Sequence, residues 1–187
     1  MKKRIFMALL AAVATFAMTS CGDDDKKDNP APATESSFGQ NSNSVWLTTP
    51  LDEEDLEGMP EGSASQKVVW KWDGSGNITD IVATLNCSSV ELAEALLKQT
   101  QDEMNDPESE YDQMGKIKDL KINGSTLTAI YEVPEGLTKM DAIVEAKSIA
   151  MLMGVKGVEF TEAEQAYYNE MMDEFYDDDD DDSEDYR

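Results

Sequence analysis

The chain contains no histidine. It has no imidazole base, so most hydrolase triads and most zinc sites lose their commonest member. Arginine stands only at Arg4 and Arg187, and the body of the chain has no guanidinium fork for phosphate or carboxylate. Cysteine occurs at Cys21 and Cys87 alone. With no imidazole to activate it, Cys87 reads as a structural thiol rather than a nucleophile. The one long apolar run, Ile5 to Met18, is 14 residues. That is short of the roughly 20 that a helix needs to cross a bilayer.

What is abundant is acid: 40 Asp and Glu against 15 Lys and Arg in 187 residues, a formal charge of −25. Such a charge repels phosphate backbones and anionic membrane surfaces, so nucleic acid is not an expected partner. The length suits one domain with extensions.

The first residues are ordered like an export leader. Lys2-Lys3-Arg4 is basic, Ile5 to Met18 is apolar, Thr19-Ser20 are small, and Cys21 is followed by acidic Gly22 to Asp28. Met18-Thr19-Ser20-Cys21 resembles the lipobox of bacterial lipoproteins, with Met18 where Leu is usual. The acidic Asp23-Asp24-Asp25 after the cysteine is similar to the export signal of Bacteroidota-type surface lipoproteins. The resemblance covers residues 1–28 and implies an address: cleavage before Cys21, acylation there, and a lipid-anchored protein of the outer membrane facing the cell exterior. Loss of Lys2, Lys3 and Arg4 with the leader would take the charge to about −28. A Cys21–Cys87 disulfide is not expected, because lipid would consume Cys21.

The expected organisation is a signal peptide over 1–20, an acidic Pro/Ser-containing tether over 21–44, one α+β domain over 45–176 and a disordered acidic tail over 177–187. Order is expected to begin near Val45-Trp46-Leu47, and Asp52 to Glu61 reads as an acidic loop. Lys67 to Trp72 alternates, with Val68, Trp70 and Trp72 on one face. Asp73 to Asn77 is turn material, and Ile78 to Leu85 continues as a strand. Ser88 with Glu91 forms a capping box that opens a helix through Leu92 and Leu96. A second unit follows. Ile117 to Ile122 and Thr126 to Val133 are strands about an Asn123-Gly124 turn of type I′. Thr138 with Asp141 caps a helix ending at Gly154. Thr161 with Glu164 caps a third helix through Tyr167, Met171 and Phe175. The two hairpin-plus-helix units are offset by about 48–50 residues. The expected fold is α+β: one antiparallel sheet of four strands from two hairpins, each followed by a helix (ββαββα), plus a C-terminal helix.

Candidate chemistry is sparse. Trp46, Trp70 and Trp72 could stack on sugar rings, but the alternation that aligns Trp70 and Trp72 with Val68 reads as core. Asp52-Glu53-Glu54-Asp55 offers paired carboxylates without an evident means of raising one pKa by burial. Asp73 to Asn77 starts like a calcium loop, but Ile78 stands where that loop needs glycine. No metal site, cofactor or catalytic group is assigned. The expected function is a non-catalytic cell-surface binding or accessory module, held to the membrane through lipid on Cys21, with a protein or glycan partner. The alternatives are a small surface glycan hydrolase using carboxylates alone, and a periplasmic inhibitor or chaperone-like module. An open cleft with two facing carboxylates would favour the enzyme. A closed core with one bare sheet face would favour the binder.

Overall fold

Alternating apolar residues, period two, place successive side chains on opposite faces of a sheet. In the computed structural model, which describes residues 31–105 and 116–177, that pattern builds one antiparallel sheet. Its strands are β1 (Ser37–Gln40), β2 (Ser44–Pro50), β3 (Ala64–Trp72), β4 (Ile78–Cys87), β5 (Ile117–Asn123) and β6 (Thr126–Tyr131). The helices are α1 (Val90–Asn105), α2 (Lys139–Leu152) and α3 (Glu162–Asp177). Strand order is β1-β2-β3-β4-β6-β5, so the two expected hairpins meet at the β4–β6 pair.

The sheet has six strands rather than the four expected, because β1 and β2 extend it beyond β3. β1 falls inside the stretch read as tether. Its four residues, Ser-Phe-Gly-Gln, carry a single large apolar side chain and no readable period. The strand exists because β2 offers it an edge, with Phe38 opposite Leu47. The Asn41 side chain ties the tight turn between them, accepting bonds from the backbone N–H groups of Asn43 (3.0 Å) and Ser44 (2.8 Å). Further upstream, the Ala33 N–H donates to Ser65 Oγ at 2.8 Å. The leader, Cys21, Asp23 to Asp25 and the tail from 178 onward lie outside the described residues.

The inner face carries Val45, Leu47, Val68, Trp70, Trp72, Ile81, Ala83, Leu127 and Ala129, all buried. α2 covers its β1–β3 side through Ala142, Ile143, Ala146, Ile149 and Ala150. Alanines at four-residue spacing keep this helix stripe shallow, and Trp70 and Trp72 fill the space beneath it. α1 covers the other side: Leu92, Ala93 and Leu96 pack on Ala64, Cys87 and Leu127. Burying each Leu or Ile contributes about 1.5–3 kcal/mol. The loop after β2 is less polar in effect than its sequence suggests, since Leu51, Leu56 and Met59 close this second cluster. Burial pushes the Cys87 thiol up, consistent with a structural role.

α3 packs chiefly on α2. The Lys147 ammonium meets Glu164 Oε2 at 2.7 Å, and Tyr167 donates its hydroxyl proton to Asp141 Oδ1 at 2.5 Å. Burial first, and then the bond to Asp141, push the Tyr167 phenol up to about 12.

Two of the three expected capping boxes form. Thr138 and Asp141 are reciprocal, with the Thr138 N–H on Asp141 Oδ2 at 2.8 Å and the Asp141 N–H on Thr138 Oγ1 at 3.3 Å. Thr161 and Glu164 repeat the geometry at 2.7 and 3.3 Å. The first is displaced by one residue: Ser89 caps α1, accepting the Leu92 N–H at 3.1 Å. Ser88 Oγ instead accepts the Ser63 N–H at 2.9 Å, tying the helix start to the entry of β3. The hairpin turn is displaced too. Asn123 pairs with Thr126, so the loop residues are Gly124-Ser125, with Gly124 at φ +58°. The loop is thus one residue later than the expected Asn123-Gly124, and its first position holds the left-handed angle that both primed hairpin turns require. Gly154, at φ +71°, ends α2 as expected, with Val155 N–H returning to the Ala150 carbonyl at 2.9 Å.

Candidate functional site

The same alternation that fills the core sends every second strand residue to the other face. The strand register gathers those residues into transverse rows. One row runs Gly39, Trp46, Val69, Val82, Ile130, Asp119. The next runs Ser37, Thr48, Lys67, Thr84, Thr128, Lys121. Strands lie about 4.8 Å apart, so each row crosses roughly 24 Å of surface. An apolar and aromatic strip therefore lies beside a strip of hydroxyls and ammonium groups. The three helices of the described residues are on the inner side. The chain around Ala33 lies over this outer face at Ser65, which is fully buried.

Trp46 is held flat at the β1 side of the face. A Cβ added to Gly39 would stand 2.2 Å from Cζ2 and 2.3 Å from Cε2 of the indole. The ring therefore fills the place where a side chain at 39 would be. The Lys67 ammonium lies 5.5 Å from the ring centroid, within cation–π range. Among the described residues no carboxylate pairs with Lys67. The strand carboxylates of this face are Asp80, opposite Lys71, and Asp119, which is paired with Lys121.

Of the three tryptophans singled out as stacking candidates, only Trp46 is on this surface. Trp70 and Trp72 are 2 % and 5 % exposed on the inner face. They cannot meet a ligand, because even numbering in β3 points both under α2. The Trp72 indole N–H donates to the Ser42 carbonyl at 2.8 Å, and Lys139 Nζ lies 5.1 Å from its ring. The Trp70 indole N–H is buried without a partner.

The acidic loop also differs from expectation. Burial pushes the Asp55 carboxyl up to about 6, and the charges of Asp52 and Glu54 add to this. Only the bond from the Asp52 backbone opposes it. The packing of Leu51, Leu56 and Met59 supplies the dry surroundings. Both acids are nonetheless occupied within their own loop. Asp55 Oδ2 accepts the Asp52 N–H at 2.9 Å, and Asp52 Oδ1 accepts the N–H groups of Glu54 (2.9 Å) and Asp55 (3.1 Å). Asp73 is likewise turned on its own loop, accepting from Ser75 and Asn77 at 2.8 and 3.0 Å, which holds its carboxyl low. Among the described residues no group of three or more Cys, Asp or Glu is placed to hold a metal ion.

Three residues escaped the sequence. Gly39 and Lys67 matter only through the register that brings both to Trp46. Glu145 looks like an exposed helix acid, yet it is 4 % exposed with neither carboxylate oxygen hydrogen-bonded. Burial, and then the nearby Asp141 charge, raise its carboxyl well above the usual 4.5.

Fold and site together define an open-sheet α+β protein: a six-stranded antiparallel sheet with the helices of the described residues on one side and a part-buried Trp/Thr/Lys face on the other. No family model, no curated protein and no solved structure matches the chain. No helix of the described residues is long and apolar enough to cross a membrane.

Proposed function

We infer that the protein is a non-catalytic binding module, anchored by lipid on Cys21 in the outer membrane, facing outward, and that its outer sheet face is the binding surface. The observation that carries this reading is the asymmetry of the sheet. One face is closed by helices, and the other presents Trp46, Val69, Val82 and Ile130 beside Thr48, Lys67, Thr84 and Thr128. A sheet face that needed only solvation would carry charges in those four apolar positions. The leader supplies the anchor, and Asp23 to Asp25 the outward address. Asp55 Oδ2 and Asp52 Oδ1 accept bonds from their own loop, which weighs against the hydrolase reading. Within the fold, β3–β4–α1 and β5–β6–α2 are read as two copies of a hairpin–helix unit, a ββαββα core extended by β1, β2 and α3.

The test is a face-blocking variant. Val82→Asp places a charge at the centre of the apolar row without touching the core. The mature protein and this variant are passed over arrays of cell-surface glycans and proteins. Binding by the wild type that V82D loses, with an unchanged melting temperature, supports the reading. Equal binding by both sends the function elsewhere on the molecule.

A further inference from the structure

Lys67 is the anomaly of the outer face. In a chain with 40 acidic residues, the ammonium beside the one surface tryptophan has no carboxylate partner among the described residues. Lys121, in the same row, is paired with Asp119. Lys71 faces Asp80 across the β3–β4 pair. Lys67 instead stands over the Trp46 indole, and Trp46 is itself seated in the gap left by Gly39. Opposite Lys67 on its two neighbouring strands stand Thr48 and Thr84, and Thr128 follows in the row.

Resting on the reading of this face as the binding surface, we propose that Gly39, Trp46, Lys67 and the threonine row form a subsite for a carboxylate-bearing sugar within a glycan chain. Each group has a matching task. Once the Lys67 ammonium, 5.5 Å from the ring centroid in the free protein, swings onto the ligand's carboxylate, the indole offers its outer π-face to the apolar C–H face of a pyranose ring. Lys67 supplies the positive charge that a ring carboxylate lacks in water, where its neighbour is solvent. Thr48, Thr84 and Thr128 each donate and accept hydrogen bonds, which suits hydroxyls repeated along a chain. Gly39 is a positioning residue, since it acts through the indole.

Charge selects the ligand at two ranges. A charge of −25 repels densely charged polymers such as nucleic acid before contact. With a Debye length of about 8 Å at physiological salt, a polyanion brings many charges within reach of the acidic surface, whereas a single carboxylate seated at Lys67 is governed by that nearest ammonium. The predicted ligand is therefore an acidic sugar spaced along a chain. The apolar strip is flat and part-buried, with one aromatic residue and no protruding anchor of the kind that dominates protein interfaces.

The experiment uses the full mature protein in detergent, with an oligosaccharide bearing a single uronate among neutral sugars as probe and its methyl ester as control. The ester keeps the ring and hydroxyls and removes the charge. Calorimetric titration of the wild type should show about fivefold tighter binding of the acid, a partly exposed ion pair being modest. The preference should shrink as salt is raised. Lys67→Met should abolish the preference, bringing the affinity for the acid down to that for the ester. Trp46→Ala should weaken both by about tenfold or more. Circular dichroism checks that each variant folds. Equal wild-type affinity for acid and ester overturns the acidic-sugar proposal but leaves the face as a glycan-binding surface, provided V82D abolishes both. Binding of neither probe at millimolar concentration, or full affinity in W46A, also overturns it. Loss of all array binding in V82D together with no sugar binding would assign the face to a protein partner instead.

Discussion

The indole of Trp46 occupies the space that a side chain at residue 39 would need: an added Cβ would approach Cζ2 to 2.2 Å. Gly39 is not among the glycines with positive φ, so its identity is set by packing and not by conformation. Gly39→Ala should cost on the order of 1–3 kcal/mol by forcing the ring out of its seat. In a Trp46→Ala background the same change should be nearly neutral. A double-mutant cycle by urea denaturation checks this, and additive effects would show that the two residues do not share space.

Glu145 makes stability fall with rising pH. Its folded-state pKa is raised above the usual 4.5, so between those values the folded protein holds a proton that the unfolded chain has lost. That stabilisation is complete below 4.5 and is lost progressively as pH rises toward the folded value. Glu145→Met should remove this slope and stabilise the protein at neutral pH by about 1–3 kcal/mol. Melting curves from pH 5 to 8 for both proteins are the check. A parallel pH dependence in the variant would place the titrating group elsewhere.

Lys147 and Glu164 act in the opposite direction. Burial alone would raise Glu164, but the bond from Lys147 and the Thr161 N–H outweigh it and hold the carboxyl low. Its contribution is present above 4.5 and lost as pH falls through the depressed value. With side chains only 11 % and 9 % exposed, Lys147→Met strands a carboxylate and should cost roughly 3 kcal/mol. K147M/E164Q should recover part of this, because Gln keeps the capping box with Thr161 without the charge. A double variant no more stable than K147M would mean that the stranded charge is not the source of the loss.

Gly124 holds φ +58° in the β5–β6 turn, a region costly for a β-branched residue. Gly124→Val should destabilise by about 1–2 kcal/mol. Thermal unfolding measures it, and an unchanged midpoint would remove the turn from the determinants of this hairpin.

The anchor is tested on whole cells. Mass spectrometry of membrane-extracted protein should find a chain starting at an acylated Cys21. Added protease should remove the domain, and replacing Asp23, Asp24 and Asp25 by Ala should protect it. A soluble form with another N-terminus, or a domain resistant to shaving beside a cleaved surface control, would contradict the proposed address.

What the sequence determined by itself was local. Alternation in Lys67–Trp72 and Thr126–Tyr131 set which residues face inward, because the strand period is two whatever the partner. Thr138–Asp141 and Thr161–Glu164 announced helix starts, because a capping box closes within four residues. Pairing decided the rest. β1 is a strand only because β2 presents an edge to a tetrapeptide with no period of its own. Ser88 lost the cap of α1 to Ser89 because the Ser63 N–H, 25 residues upstream, claimed its hydroxyl. Glu145 is buried because α2 lies between the sheet and α3, a position its own sequence does not encode. The outer face is the plainest case. Gly39, Trp46 and Lys67 come from three strands, and nothing in the chain between them states their distance. Only strand order and register, satisfied by backbone hydrogen bonds across β1, β2 and β3, bring a missing side chain, an indole and an ammonium with no carboxylate partner among the described residues to one place.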